Sequence, residues 1–237
     1  MTNFESHPSN KLKVITIDGP AGSGKSTVAK IVAAKLGWIY VTTGAIYRTL
    51  ALLVHEANLT EKDFENIERF ISFINERYRQ ESSNGRVFIG EREVTDEIKT
   101  PVVSQLASIL AQEDFIRKRL LPIQRKIVLN NHGAVVDGRD MGTIVFPDAP
   151  LKIFLTASIS ERAERRYKEL YQNGHSSNLK ELVKEIQERD TRDENRSIAP
   201  LKPATDAISL DSTKSTQEEI AKRILQFAVQ KDLIISI

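Results

Sequence analysis

The sequence predicts an α/β protein, a parallel sheet with helices over both faces. Three observations point there. Short β-branched runs alternate with helix-period stretches along most of the chain, the connections between them are short, and the first run ends in a glycine-rich turn that opens a helix. The alternation gives way at residues 78–94, where extended stretches follow one another and predict a small antiparallel insert. A chain of 237 residues can bury a sizeable core without metal or disulfide support.

Val14-Ile15-Thr16-Ile17 reads as the first buried strand, ending at Asp18. From Lys25 onward Val28, Ile31, Val32 and Leu36 recur at helical spacing, and Gly37 marks the stop. Residues 38–41 are the second strand, with Trp38 and Tyr40 read as core packing. A helix runs through Tyr47, Leu50 and Val54 until Asn58 interrupts it. Thr60 with Asp63 resembles a capping box ahead of a helix striped by Phe64, Ile67, Ile71 and Ile74. Residues 78–82, 86–89 and 92–94 are the extended pieces of the insert, separated by the hairpin signal Asn84-Gly85 and by Gly90-Glu91.

Helices resume over 101–111 and 114–130, the second with a kink expected at Pro122. Residues 134–136 and 151–155 are further buried strands. Ser158 with Glu161 reads as a capping box opening a charged helix that ends near Gly174, and a second charged helix covers 178–192. Residues 207–210 form the last strand. The last helix covers 216–230, with Ile220, Ile224 and Phe227 on one face.

Lys and Arg number 34 against 32 Asp and Glu, a net charge of +2, which excludes a generally polybasic nucleic-acid-coating protein. Hydrophobic residues at 40% and charged residues at 28% argue against wholesale disorder. There is no cysteine, so disulfide frameworks, thiolate metal sites and cysteine nucleophiles are excluded. The longest uncharged run, residues 100–112, contains Pro101 and falls short of the ~18 apolar residues that a spanning helix needs. Residues 1–10 carry Glu5 and His7 and no apolar block, which predicts a short disordered leader rather than an export signal. His7, His55, His132 and His175 show no metal-ligand spacing.

Gly19-Pro20-Ala21-Gly22-Ser23-Gly24-Lys25-Ser26, followed by Thr27, fits G-x-x-x-x-G-K-[ST]. The glycines let backbone N–H groups turn inward around a phosphate, Lys25 reaches the β- and γ-phosphates, and the Ser26 hydroxyl is placed for Mg²⁺. The helix that starts here adds its partial positive charge. A strand before and a helix after are the context this motif requires, so the chain is expected to bind ATP with Mg²⁺.

The class of phosphate-loop protein is narrowed by what surrounds the motif. No N-K-x-D guanine-reading motif is present, and an ATP-driven motor generally needs a longer module. Arginines recur instead, at Arg48, Arg117, Arg139, Arg162, Arg165, Arg166, Arg189, Arg192 and Arg196. Residues 161–200 are charge-dense, and a pair of solvated helices with i,i+4 ion pairs accounts for many of these charges. Yet Arg162, Arg165 and Arg166 share a face, and Arg189, Asp193 and Arg196 fall on one stripe if the helix continues that far. Transfer between two bound phosphates gathers negative charge that arginines neutralise in pairs of hydrogen bonds. A small-substrate kinase fits this pattern. A non-catalytic ATP-binding module is the competing reading.

The segments Ile15-Thr16-Ile17-Asp18-Gly19-Pro20, Thr43-Gly44-Ala45-Ile46-Tyr47-Arg48 and Asp137-Gly138-Arg139-Asp140-Met141-Gly142-Thr143 resemble bacterial-type cytidylate kinases. So do Val145-Phe146-Pro147-Asp148-Ala149, the Arg189-Asp190, Arg192-Asp193, Asn195-Arg196 block, and Ala204-Thr205-Asp206-Ala207 with Leu210-Asp211-Ser212-Thr213. The resemblance implies a P-loop NTPase three-layer fold with a five-stranded parallel sheet. It divides one domain into a core (about 12–42, 105–158 and 197–237), an acceptor insertion (about 43–104) and a helical lid (about 159–196). It implies transfer of the γ-phosphoryl group of Mg·ATP to CMP, and to dCMP, by a cytoplasmic monomer that binds neither nucleic acid nor membrane. Another nucleoside monophosphate kinase or a shikimate-type kinase is the nearest alternative.

By position, the resemblance gives Lys25, Arg139, Asp140 and Arg165 to the catalytic centre, and residues 19–27 with Arg162 to ATP. Arg48, Arg139 and Arg196 would grip the acceptor phosphate, with Thr43 beside it. Ser108, Arg117 and Asp140 would read cytosine, whose N4 amine donates where uracil accepts. Asp193, oriented by Arg189, would bind the ribose hydroxyls. Asp137 is either an outer-shell Mg²⁺ partner or a cap for the following turn. The family usually has Asp where this chain has Thr42.

Overall fold

The computed structural model describes residues 13–81, 85–129, 131–172 and 177–235. The expected leader, Ser82 and Asn84 of the insert, and the helix ends at Asn130 and Gly174 lie outside those residues. Strand β1 (Val14–Asp18) is buried throughout and passes through the glycine-rich turn into α1 (Lys25–Leu36). Gly37 ends α1 at φ 64°, a left-handed conformation that glycine adopts without strain. Then come β2 (Ile39–Thr42), which runs straight into α2 (Thr43–Glu56), and α3 (Phe64–Arg77). The insert is β3 (Tyr78–Gln80), β4 (Val87–Ile89) and β5 (Arg92–Glu93), an antiparallel sheet in that order.

Helix α4 (Pro101–Leu110) precedes α5 (Asp114–Leu129), which holds Pro122 in its interior. Strand β6 (Ala134–Gly138) leads to a π-helical turn, Met141–Val145, and then β7 (Leu151–Thr156). The charged helices are α6 (Ile159–Gln172) and α7 (Leu179–Glu194), and β8 (Ile208–Asp211) and α8 (Gln217–Gln230) close the chain.

The main sheet has the order β2-β6-β1-β7-β8 with every pair parallel. Its faces follow from strand alternation. Ile15, Ile17, Val135, Ile153 and Leu210 pack against Val28 and Val32 of α1 and Ile220 and Ile224 of α8. Val14, Val41 and Val136 face the opposite way, toward Val128 of α5 and Met141 and Val145 of the π-helical turn. A second core, with Ile46, Leu50, Ile67, Ile74, Val87 and Leu110, joins α2, α3 and α4 to the insert. Helices α6 and α7 share a small core of their own, Ala163, Leu170, Leu182 and Ile186.

This topology fixes where a ligand can sit. The carboxyl ends of the parallel strands, Asp18, Thr42, Gly138, Thr156 and Asp211, share one edge, and the connection out of β1 runs toward β2 while that out of its neighbour β7 runs the other way, to β8. Ligands of open α/β sheets bind in the crevice outside that edge.

Two capping expectations fail for identifiable reasons. Asp63 accepts from the Thr60 N–H and hydroxyl, which builds a turn ahead of α3, and no side chain caps that helix. Ser158 does accept from the Glu161 N–H, at 3.3 Å, but the reciprocal bond is missing because the Glu161 carboxylate is held by Arg165. The Ser158 N–H goes instead to Thr213, at 2.9 Å.

Candidate active site

The donor side is built where β1 meets α1. At Gly19, φ 145°, a Cβ would lie 2.0 Å from the Leu155 carbonyl oxygen, so no side chain fits. Gly22, φ 76°, lies under Arg162, 3.0 Å from where its own Cβ would be. The left-handed Gly24 starts α1 without any side-chain cap, which leaves the first N–H groups of the helix for an anion. Lys25 is buried and folds over the loop, its Nζ donating to the Pro20 carbonyl at 2.6 Å. Burial, reinforced by Arg139, holds its pKa well below the ordinary lysine range.

Ser26 donates to Asp137 at 2.7 Å, and the Tyr40 hydroxyl donates to the other oxygen of the same carboxylate at 3.1 Å. A hydroxyl and a carboxylate side by side at the mouth of a phosphate loop are the donor set Mg²⁺ takes with a nucleotide, so these residues fit the ion. From α6, Arg162 donates to the Ala21 carbonyl at 3.0 Å and pairs with Asp190 at 2.6 Å. Arg165 donates to the Ser23 carbonyl at 3.2 Å and to the Ser212 carbonyl at 2.7 Å. The helix pair therefore rests on the phosphate loop.

The acceptor side gathers arginines from three places in the fold. Arg48 comes from α2, Arg139 from the end of β6, Arg189 from α7, and Arg196 from just beyond it. Arg139 Nε donates to Asp193 at 2.8 Å, and Arg196 pairs with the other Asp193 oxygen. Burial pushes Asp193 up, but Arg139, Arg196 and Arg189 outweigh it and hold the carboxyl below its usual range. Arg189 is held down to about 9 by burial and by Arg139. Burial likewise lowers Arg48 and Arg196. The Nε atoms of Arg48, Arg189 and Arg196 are buried without a hydrogen-bond partner among the described residues. Three buried donors lacking an acceptor and a surplus of positive charge describe a site shaped for an anion.

Beside this cluster, Arg117 pairs with Asp140, and both are buried. They border a cavity of about 190 Å³ lined also by Tyr47, Gln124, Ile144 and Ile198. Ser108 is buried on α4 with its hydroxyl unpartnered among the described residues. A larger hollow of about 680 Å³ lies between α6 and the start of α7 and shares no residue with this site.

The structure thus brings residues 19–27 together with Arg162, Arg165 and Asp137, and Arg48, Arg139, Arg189, Asp193 and Arg196 into one cluster. Thr43 stands between the two sides, its hydroxyl donating to the Asp137 carbonyl at 3.1 Å. Two expectations need correction. Asp193 is oriented by Arg139 and Arg196, because the Arg189 side chain makes no hydrogen bond to it. Arg166 does not join Arg162 and Arg165 on the loop; it pairs with Glu169 one turn on, at 2.8 Å. Tyr40 packs in the core as expected, and its hydroxyl also reaches the Asp137 carboxylate. Sequence reasoning also missed Asp18, whose two oxygens accept the backbone N–H groups of Met141 and Gly142.

The family model described as cytidylate kinase matches residues 15–230 of this chain. The chain is 47% identical over 222 residues to a cytidylate kinase of Stutzerimonas stutzeri, covering 93% of this chain and 96% of that one. It is 45% identical to a cytidylate kinase of Marinomonas sp., over 95% and 99% of the two chains. A cytidylate kinase of Leuconostoc mesenteroides is 41% identical, over 94% and 96%. Among solved structures, a shikimate kinase from Acinetobacter baumannii aligns over 94% of this chain and 96% of that one, with a TM-score of 0.44 and 15% identity.

Proposed function

The chain belongs to the cytidylate kinase family, and on that premise we propose that it transfers the γ-phosphoryl group of Mg·ATP to CMP and to dCMP, giving ADP and the diphosphate. The observation that supports this reading most is the set of buried arginine Nε donors on Arg48, Arg189 and Arg196, facing no acceptor of their own beside an ATP-type phosphate loop. An acceptor phosphate supplies the missing oxygens.

Two nucleotides would then lie end to end across the strand edge. The backbone of residues 19–27 and Lys25 hold the donor phosphates. Ser26 and Asp137 would hold Mg²⁺, which neutralises phosphate charge when bound. Arg48, Arg139 and Arg196 grip the acceptor phosphate, and Arg189 adds charge where the two phosphates meet. An acceptor phosphate oxygen is already nucleophilic, so no general base is required, and positioning with charge neutralisation accounts for the acceleration. Arg162 and Arg165 cover the loop from α6 and exclude water.

For the base, Asp140 accepts from the cytosine N4 amine while Arg117 donates to the O2/N3 edge; uracil presents an acceptor at position 4 and is disfavoured. Asp193 takes the ribose hydroxyls. The insertion over 43–104 holds the acceptor and the segment 159–196 acts as the lid, in a cytoplasmic monomer. Among the described residues no helix is long and apolar enough to cross a membrane. A coupled ADP-release assay across CMP, dCMP, UMP, AMP and GMP tests the reading. CMP and dCMP are expected to give the highest kcat/KM, and a preference for AMP would overturn the substrate assignment.

A further inference from the structure

The turn that carries the acceptor residues is held from outside itself. Asp140 occupies the N-cap position of the π-helical turn Met141–Val145, yet its side chain makes no cap hydrogen bond. It is turned to Arg117 instead. The first two N–H groups of the turn, those of Met141 and Gly142, donate to the two oxygens of the Asp18 carboxylate, each at 2.8 Å, and the second of these is one of the two that an Asp140 cap could take. Asp18 is the last residue of β1 and only 4% exposed. Strand alternation sends it to the same side as Val14 and Thr16, toward that turn.

An aspartate at an N-cap ordinarily bonds to the second or third N–H of its own helix, and this local bond competes with any distant partner. In this protein the competition is weakened. Asp18 already takes the Gly142 N–H, so the Asp140 carboxylate has one local partner fewer and gains less by folding back than by pairing with Arg117. Asp18 is itself expensive to bury. Burial pushes its pKa up to about 6 against the two backbone hydrogen bonds, with Asp140 raising it further and Lys25 opposing. A buried carboxylate kept at such a cost is explained by the two donors it satisfies.

We propose that Asp18 caps the Met141–Val145 turn from the neighbouring strand and so keeps the Asp140 carboxylate free for Arg117 and the acceptor base. Asp18 is then a positioning residue for acceptor selectivity, acting through Asp140 and touching neither nucleotide. The inference rests on the kinase reading above. Because Asp18 immediately precedes Gly19, it also ties the acceptor turn to the root of the donor loop.

The test compares the full chain with Asp18→Ala, Asp18→Asn, Asp140→Ala and the double variant Asp18→Ala/Asp140→Ala. Steady-state kinetics with CMP and with UMP at saturating ATP give the selectivity, and calorimetric titration with ATP gives donor affinity. Asp18→Ala is expected to narrow the CMP-over-UMP ratio of kcat/KM by roughly tenfold or more, mainly through acceptor KM, with ATP affinity within about threefold of the parent. Asp18→Asn keeps one accepting oxygen and should fall between. In the Asp140→Ala background, removing Asp18 should leave the ratio where Asp140→Ala alone puts it, because the two residues act in series.

An unchanged ratio in Asp18→Ala would overturn the inference. So would a parallel loss of ATP affinity, full additivity in the double variant, or a wild-type ratio in Asp140→Ala. Failure of both Asp18 variants to fold would make the residue structural and overturn it as well. Absence of CMP phosphorylation by the parent chain would instead strike the kinase reading, and is read separately.

Discussion

Asp193 carries two obligations at a single side chain. Fully buried, it neutralises Arg139 and Arg196, and it is assigned the acceptor sugar. Removing its charge leaves an already over-positive cluster less balanced, and breaking a buried pair of this kind costs roughly 3–5 kcal/mol. Asp193→Asn keeps the shape and separates the obligations. It should raise KM for CMP more than for dCMP, measured as the ratio of the two; equal increases would remove the sugar role. The residue scale also shows which chemistry was legible in the sequence. Lys25 and Ser26 could be read because the phosphate loop uses neighbours in the chain. Asp18 could not, because its partners are backbone N–H groups 123 and 124 residues away, and a backbone donor leaves no trace in side-chain identity. Tyr40 was hidden in the same way, 97 residues from Asp137. Its β-branched surroundings speak for packing, and nothing local announces a hydroxyl aimed at a carboxylate.

Elements were legible where their period was strong. All five strands of the main sheet were anticipated, with edges displaced by a residue or two, as at Ile39 for 38 and Ile208 for 207. The π-helical turn was not, since Met141–Val145 is too short to show any period and begins beside a glycine. The α6–α7 pair has a small core of its own, four buried apolar residues between two highly charged helices. Its attachment to the rest runs through Arg162 and Arg165 to backbone carbonyls of the phosphate loop, through Arg165 to Ser212 and through Asp193 to Arg139. Ile186→Ala removes part of that small core, at a cost of about 2–4 kcal/mol. Hydrogen exchange should then quicken in α6 and α7 while β1 and β6 keep their protection. A uniform change across the chain would show that the helix pair and the sheet open together.

For the whole molecule, two buried aspartates bend stability with pH in opposite senses. Asp18 holds its proton up to about 6, above its ordinary value of 3.8, so between those limits the folded chain binds a proton that the unfolded chain releases. Stability from this group therefore falls as pH rises through the window, by about 3 kcal/mol in total. Asp193 is lowered, so its contribution is present above its ordinary 3.8 and is lost as pH falls through the range beneath. Denaturant unfolding from pH 4.5 to 7.5 should show the parent losing ground against Asp18→Asn as pH climbs; parallel curves would assign the slope to other groups. Strand β6 carries a different consequence. Its Asp137 gives a carboxylate to Ser26 and Tyr40 and a carbonyl to Thr43, and Arg139 and Asp140 follow at once. Side chains there alternate between the α1 side and the α5 side. Inserting a single codon ahead of Asp137 would swap those two sides and misaim the donor and acceptor fittings in one stroke, so this stretch of gene is as intolerant of a change in length as of a change in its aspartates and arginine.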